Sequence, residues 1–186
     1  MRYIDTHHFS TYEIKKSKFI SHIFAFDMFD DMMKKLREDH PKARHFVYAS
    51  RYLNEWDQIV ENSSDDGEPK GTSGKPTLAV LGGAGMINSA IITVRYFGGT
   101  KLGTGGLVKA YSDSANLVLS EYQDDIKEYV KLERYEITCE YSELQKIEYH
   151  IDKLGINIIN KNFDSDVKLK LETTKELFLD FKKATS

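Results

Sequence analysis

The sequence predicts an α+β protein built in two parts, and three observations carry that expectation. Residues 89–97 (SAIITVRYF) form an almost continuous apolar run, as in a strand at the centre of a sheet and covered on both faces. Beyond a glycine-rich stretch, LVKAYSDSANLVLSEY places Leu107, Tyr111, Ala115, Val118 and Tyr122 on one helical stripe, which packs most simply against that sheet. From Lys131 a second, shorter pattern of strand, helix, two strands and helix begins with its own apolar periodicity, so the expected domains are residues 1–130 and 131–186.

The remaining elements follow from local signals. Residues 12–26 alternate well enough for one long strand. Phe29, Met32, Met33 and Leu36 then recur at helical spacing up to Pro41, which cannot continue a helix. HFVYASRYL (45–53) is rich in β-branched and aromatic residues and predicts a strand; WDQIVEN follows across a polar turn at 53–55, which suggests a hairpin. SSDDGEPKGTSGKP is dense in turn formers and reads as a functional-length loop. It leads to a short helix capped by Thr72 or Ser73, with Pro76 in its first turn and Gly82 and Gly83 at its end. In the second part, RYEITCEY is a strand and Ser142 caps a helix ended by Gly155. INIINKNFDSDVKLKLETT is a hairpin and Thr174 caps the last helix. A ferredoxin-like unit closes with one more strand, so the first strand of this part is expected to be left as a sheet edge, with the unit either cut short or that edge paired elsewhere.

Composition narrows the function classes. With 40% hydrophobic and 30% charged residues among 186, the chain reads as globular. Its apolar runs fall far short of the roughly 20 residues of a membrane span, and MRYIDTHHFS lacks an apolar signal core, so a cytoplasmic address without membrane contact is expected. The one cysteine, Cys139, has no partner for a disulfide or a zinc pair and is expected to be a buried strand residue. Net charge is −3, yet between Glu68 and Asp113 there is no acidic residue, whereas Lys70, Lys75, Arg95, Lys101 and Lys109 all fall there. A local field of that kind attracts anions even when the whole chain is acidic.

The chemistry concentrates in residues 65–111. Gly98, Gly99, Gly103, Gly105 and Gly106 form a turn between the central strand and the long helix, where exposed backbone N–H groups and the helix N-terminus favour phosphate or carboxylate; Lys101 and Lys109 add formal charge. A tight connection that needs glycine only for positive φ is the alternative, but five glycines in nine residues exceed what a turn needs. The spacing excludes a P-loop, which requires Lys-Ser or Lys-Thr after the second glycine, and a dinucleotide fingerprint, because Val108 stands where the third glycine belongs. No cofactor is therefore expected. Asp65, Asp66 and Glu68 could hold a hard cation or supply a base, but Asp-Asp-Gly is also ordinary turn chemistry. The histidines show no paired metal spacing, so no metal is assigned; His45 stands closest to the loop and reads as structural before catalytic. No base is evident for Thr72 or Ser73, and no catalytic residue is assigned. Arg95, on an otherwise apolar strand, requires a partner, either a loop carboxylate or a bound phosphate.

Taken together, DDGEPKGTSGKPTLAVL and VRYFGGTKLGTGGLVKAY resemble the signature of the YigZ/IMPACT family, and KSKFISHIF and ARHFVYASRY agree with it as well. The resemblance implies an N-terminal domain similar to ribosomal protein S5 domain 2 and to domain IV of elongation factor G. It also implies a C-terminal ferredoxin-like domain similar to domain V of that factor. Eukaryotic IMPACT proteins act in translational control under amino-acid stress through a further domain not found in this sequence; bacterial relatives have been suggested to bind nucleic acid, and the family is not an established enzyme. The expected function is thus non-catalytic binding of RNA or the ribosome through Arg95, the glycine turn, Lys101 and Lys109. An enzyme acting on a small phosphate- or carboxylate-bearing substrate and a protein-interaction module are the alternatives.

Overall fold

The computed structural model describes residues 1–185. It divides into two compact units, Met1–Tyr129 and a second from Val130 onward. The first unit comprises strands β1 (Arg2–Tyr3), β2 (His8–Ile14) and β3 (Ser17–Ala25), helix α1 (Phe29–Asp39), strands β4 (His45–Leu53) and β5 (Ile59–Ser64), helix α2 (Gly74–Gly83), strand β6 (Ser89–Tyr96), helix α3 (Gly103–Glu121) and strand β7 (Lys127–Glu128).

Among the described residues the main sheet has the order β2-β3-β6-β4-β5, with every neighbouring pair antiparallel. The apolar run at residues 89–97 is β6, and it lies at the centre. Its residues from Ser89 to Arg95 are all buried because both faces are covered. Phe24, Phe46, Ala90, Ile92 and Val94 pack on Met32 and Leu36 of α1. Ile23, Ala49 and Ile91 pack on Leu81 of α2 and on Ala115 and Val118 of α3. Successive side chains of a strand point to opposite faces, so one uninterrupted apolar strand serves both cores. β1 pairs with β7, which ties the two ends of this unit together.

Three expectations change in the first unit. Residues 12–26 are not one strand: β2 and β3 form a hairpin whose turn, Lys15–Lys16, has both residues at positive φ (47° and 62°). Such two-residue turns are normally signalled by glycine or asparagine, and two lysines gave no such signal. The β4–β5 hairpin is present, but its turn lies at residues 54–58. There Asn54 Oδ1 accepts the N–H groups of Trp56 (3.0 Å) and Gln58 (2.9 Å). The glycine turn after β6 is shorter than expected, because α3 begins at Gly103 and takes Gly105 and Gly106 into its first turn.

The second unit comprises β8 (Glu133–Cys139), α4 (Leu144–Leu154), β9 (Asn157–Phe163), β10 (Val167–Thr173) and α5 (Lys175–Thr185). This is the β-α-β-β-α order expected from the sequence. Its sheet has the order β8-β10-β9, so β8 is an edge among the described residues, as the ferredoxin-like reading anticipated. Val167, Leu169 and Leu171 of β10 meet Ile151 of α4 and Phe178 and Phe181 of α5, and Cys139 is buried with them. Thr174 Oγ1 caps α5 through the Leu177 N–H (3.2 Å). Ser142 does not cap α4; its hydroxyl bonds Glu140 instead. Gly155, at φ +66°, ends α4 as expected.

Two glycines near the β6–α3 turn have opposite structural demands. A Cβ on Gly98 would lie 2.0 Å from the Lys16 carbonyl carbon, so the hairpin turn of β2–β3 rests directly on that glycine; a Cβ on Gly105 would meet nothing within 4 Å. Gly98→Ala is therefore expected to destabilise the protein by about 2 kcal/mol or more. Gly105→Ala is expected to be neutral or to stabilise by up to about 1 kcal/mol. Urea denaturation of the two variants measures this, and equal destabilisation would show that the close approach at Gly98 is not the constraint.

Candidate functional site

The site forms where the end of β6, the start of β4 and the N-terminus of α3 converge. His45 and Arg95 are register partners across β4 and β6, so they share the sheet face that looks toward α3. Arg95 is buried, with 8% of its side chain exposed, and the partner expected for it is Glu68 at 3% exposed: Nη1 donates to Glu68 Oε1 at 2.5 Å. The Tyr111 hydroxyl, from α3, donates to the same oxygen at 2.8 Å. Burial first, and then the charge of Glu68, push the Tyr111 hydroxyl far above the usual phenol range, so it stays protonated and a donor. The Phe19 ring lies 5.4 Å and the Phe97 ring 5.9 Å from the guanidinium, and Arg95 Nε is buried without an acceptor among the described residues.

Above this buried triad opens a cleft of about 720 Å³. Its walls include Lys42, Arg44, His45, Glu68, Phe97, Lys101, Gly103 and Thr104. Lys42, Arg44 and Lys101 are exposed and have no carboxylate partner among the described residues, while Glu68, the one acid of the lining, is committed to Arg95. The His45 tautomer is fixed by its neighbour: Nδ1 lies 2.8 Å from the Asp66 carbonyl oxygen, which can only accept, so Nδ1 carries the proton and Nε2 is the ring's acceptor. The first turn of α3 contains no acidic residue and no side-chain cap, so its amide dipoles, equivalent to about half a positive charge, remain uncompensated at the rim of the cleft.

The three loop carboxylates go to separate structural tasks. Asp65 Oδ1 accepts from Ser73 N (3.1 Å), Ser73 Oγ (2.7 Å) and Gly74 N (2.8 Å), and Oδ2 accepts from Gly71 N (2.7 Å). Asp65 thus caps α2 from a distance. Ser73 holds the N-cap position, but its hydroxyl turns to Asp65, and the Thr72 hydroxyl turns to the Pro69 carbonyl at 2.7 Å. Neither side chain is the cap expected from the sequence, because a carboxylate accepts several N–H groups where a hydroxyl accepts one or two. Asp66 accepts the Phe46 N–H at 2.6 Å and pairs with Arg37 at 3.3 Å, which pins the loop to the start of β4. Among the described residues no group of three His, Cys, Asp or Glu side chains is placed to hold a metal ion.

Of the residues expected to meet an anion, Arg95, Lys101 and Gly103 line the cleft. Gly98 and Gly99 build the turn beside it: Gly98 N donates to Ser17 Oγ at 3.1 Å, and Gly99 is left-handed at φ +90°. Gly105 and Gly106 lie in the first turn of α3. Lys109 is elsewhere, exposed and paired with Asp113 at 3.0 Å, one helical turn on. Sequence reading missed Lys42, Arg44 and Phe97 as cleft residues. The basic run KARH before β4 was a visible signal; what it lacked was the β4–β6 pairing that brings it beside Arg95.

Residues 15–119 match the family described as the Impact N-terminal domain, and residues 137–184 match a domain of unknown function, DUF1949. An IMPACT family member from Haemophilus influenzae is 35% identical over 172 residues, covering 89% of this chain and 82% of that protein. The IMPACT family member YigZ from Escherichia coli is 39% identical over 162 residues, covering 86% and 78% respectively. A crystal structure described as that of a hypothetical protein superposes with a TM-score of 0.67 at 33% identity, covering 98% of this chain and 89% of the other.

Two consequences can be measured. Removing one member of a buried ion pair leaves the other uncompensated, so Glu68→Ala is expected to cost about 3–5 kcal/mol. Tyr111→Phe, which removes one hydrogen bond to a charged group, is expected to cost about 1.5–3 kcal/mol. Chemical denaturation that ranked Tyr111→Phe above Glu68→Ala would contradict this order. For Asp65, burial raises the carboxyl pKa, but the hydrogen bonds from Gly71, Ser73 and Gly74 outweigh it and hold the carboxyl below its usual value. A carboxyl depressed by folding contributes stability that is fully present above about pH 4 and is lost as pH falls through the depressed value. Asp65→Asn is therefore expected to be less stable by about 1 kcal/mol at pH 7, with the gap to the wild type closing on acidification; a gap constant from pH 7 to 3 would show that the charge is not what caps α2.

Proposed function

The chain belongs to the IMPACT family, and from that premise we propose that its N-terminal unit is a non-catalytic RNA-binding module of the translation machinery, with RNA phosphate seated in the cleft between β4, β6 and α3. The observation that carries this reading is the charge imbalance at the cleft. Lys42, Arg44 and Lys101 surround it without carboxylate partners among the described residues, and the uncapped N-terminus of α3 points the same way. Phosphate is the anion such an array of point charges and amide dipoles suits best. The likeness to ribosomal protein S5 domain 2 and to elongation factor G that the family resemblance implies adds an associational argument for a ribosomal setting. A small phosphorylated metabolite is the second reading, favoured by the concavity of the cleft, whose volume is within the usual range for small-molecule sites.

Phosphate contacts release counterions, so RNA affinity is expected to fall steeply with salt. Lys101→Glu and Arg44→Glu should each weaken binding about tenfold or more and lower the slope of log K against log salt by about one. Lys109→Glu should change affinity by no more than about twofold, because Lys109 lies outside the cleft and is paired with Asp113. Fluorescence anisotropy with a structured RNA and with a single-stranded RNA, from low to moderate salt, measures all three. Absence of RNA binding at low salt would end this reading; a free mononucleotide binding as tightly as the RNA would replace it with the second.

A further inference from the structure

Resting on the RNA-binding reading above, we infer that the cleft is built for a terminal phosphomonoester of single-stranded RNA, with the terminal base against Phe97, and not for a phosphodiester within a duplex or in mid-strand. Four independent features converge on a chain end.

The first is charge. Lys42, Arg44 and Lys101 have no carboxylate partner among the described residues and Arg95 is balanced by Glu68, so the lining carries an excess of three positive charges, to which the α3 N-terminus adds about half a charge. A phosphodiester brings one negative charge. A phosphomonoester, with its second pKa near 6, brings about 1.5 to 2 at neutral pH and three acceptor oxygens. The excess fits the second group better than the first.

The second is form. At about 720 Å³ the recess has the capacity of a small-molecule site. A mid-strand phosphate seated there has chain to accommodate on both sides, whereas an end has one neighbour. A duplex end holds its terminal base in a pair, so that base cannot splay out beside the recess as an unpaired one can.

The third is the state of Arg95. Its side chain is more than nine-tenths buried, it lines the cleft, and its Nε–H has no acceptor among the described residues. Buried donors without partners are rare and call for an explanation. An anion beside this guanidinium supplies the missing acceptor for Nε–H without breaking the Glu68 pair. The fourth is Phe97, 60% exposed at the rim and 5.9 Å from the Arg95 guanidinium. An exposed ring beside a cationic recess is a stacking platform for one unpaired base. His45, whose proton is fixed on Nδ1, offers Nε2 as an acceptor for a ribose hydroxyl.

The α2 N-terminus gives the internal comparison. The fold closes it with a carboxylate of its own, Asp65, while the longer helix α3 is left without an acidic residue in its first turn. One anion site is filled from within; the other faces the cleft.

The test uses the full chain and single-stranded RNA oligomers of one sequence, about 10 nucleotides long, spanning no more than a single protein site. They carry a 5′-phosphate, a 3′-phosphate or hydroxyls at both ends, with the fluorophore on the opposite end or internal; a blunt duplex is the fourth probe. The expected result is that one phosphorylated end binds at least about tenfold (~1.4 kcal/mol) tighter than the hydroxyl-ended strand and the duplex. That advantage should shrink as pH falls through about 6, where the phosphomonoester gains its second proton. Lys101→Ala and Arg44→Ala should remove the advantage. Phe97→Ala should weaken single strands about fivefold or more while keeping the end preference. All three residues are exposed, so a matching thermal unfolding midpoint verifies that each variant is folded. Equal, salt-sensitive affinity for all three single strands would overturn the inference and leave the RNA-binding reading standing. Tighter binding of the duplex would likewise overturn it. No binding of any oligomer would overturn the reading beneath it as well.

Discussion

The N-terminal unit is organised around one buried charge, the guanidinium of Arg95. It stands on the central strand, on the face shared with α3, where a side chain of its size and charge is tolerated only with a committed partner. Glu68 supplies the charge, and because it stands in the loop between β5 and α2, the pair anchors that loop over the end of the sheet. Tyr111 adds a donor from α3 to the same carboxylate oxygen. Three segments far apart in the chain are thereby held at one point, and the cleft is the space left above it. The cleft is lined by the cationic side chains at its lip and by Arg95, whose Nε–H has no acceptor among the described residues.

The loop from Asp65 to Gly74 shows how the same residue types can serve position before chemistry. Its carboxylates invite a metal-binding or general-base reading, yet each is consumed by a local demand. Asp65 satisfies the otherwise orphaned N–H groups at the start of α2, Asp66 ties the loop to β4 and Arg37, and Glu68 balances Arg95. A helix whose N-terminus is filled by an internal carboxylate offers little to an outside anion; α3, with no acid in its first turn, does the reverse. The glycines divide in the same manner. Gly98 yields to the backbone of the β2–β3 turn, and Gly99 and Gly103 adopt left-handed conformations. Gly105 answers to no contact in the fold.

Much of the architecture was legible because periodicity and capping are local properties. The apolar run of β6 announced a strand buried on both faces, the stripe from Leu107 to Val118 announced α3, and Thr174 and Gly155 marked helix ends that the structure retains. Where the reading failed, the deciding interaction was non-local or atypical. Lys15 and Lys16 turn a hairpin without turn residues, because seven residue pairs of β2 and β3 and the approach of Gly98 from the far end of β6 hold them there. The cap of α2 was sought at Thr72 and Ser73, adjacent in sequence, when the actual acceptor lies eight or nine residues earlier and reaches the helix only after the loop has folded back.

By itself the sequence determined the α+β class, the order of elements, the location of the cationic and glycine-rich segment, and the family. All of these are written in composition, spacing and residue identity along the chain. Tertiary structure alone decided which charges remain available. Five cations in an acid-free stretch look equivalent in one dimension, but strand pairing brings Arg95 to His45, the loop after β5 brings Glu68 to Arg95, helix geometry gives Lys109 to Asp113, and the start of β4 delivers Lys42 and Arg44 from outside the stretch altogether. The physical reason is that a charge's function depends on its partner and its solvent exposure; for Arg95, Lys42 and Arg44 both are set by contacts between residues distant in the chain, whereas Lys109 meets Asp113 one helical turn on.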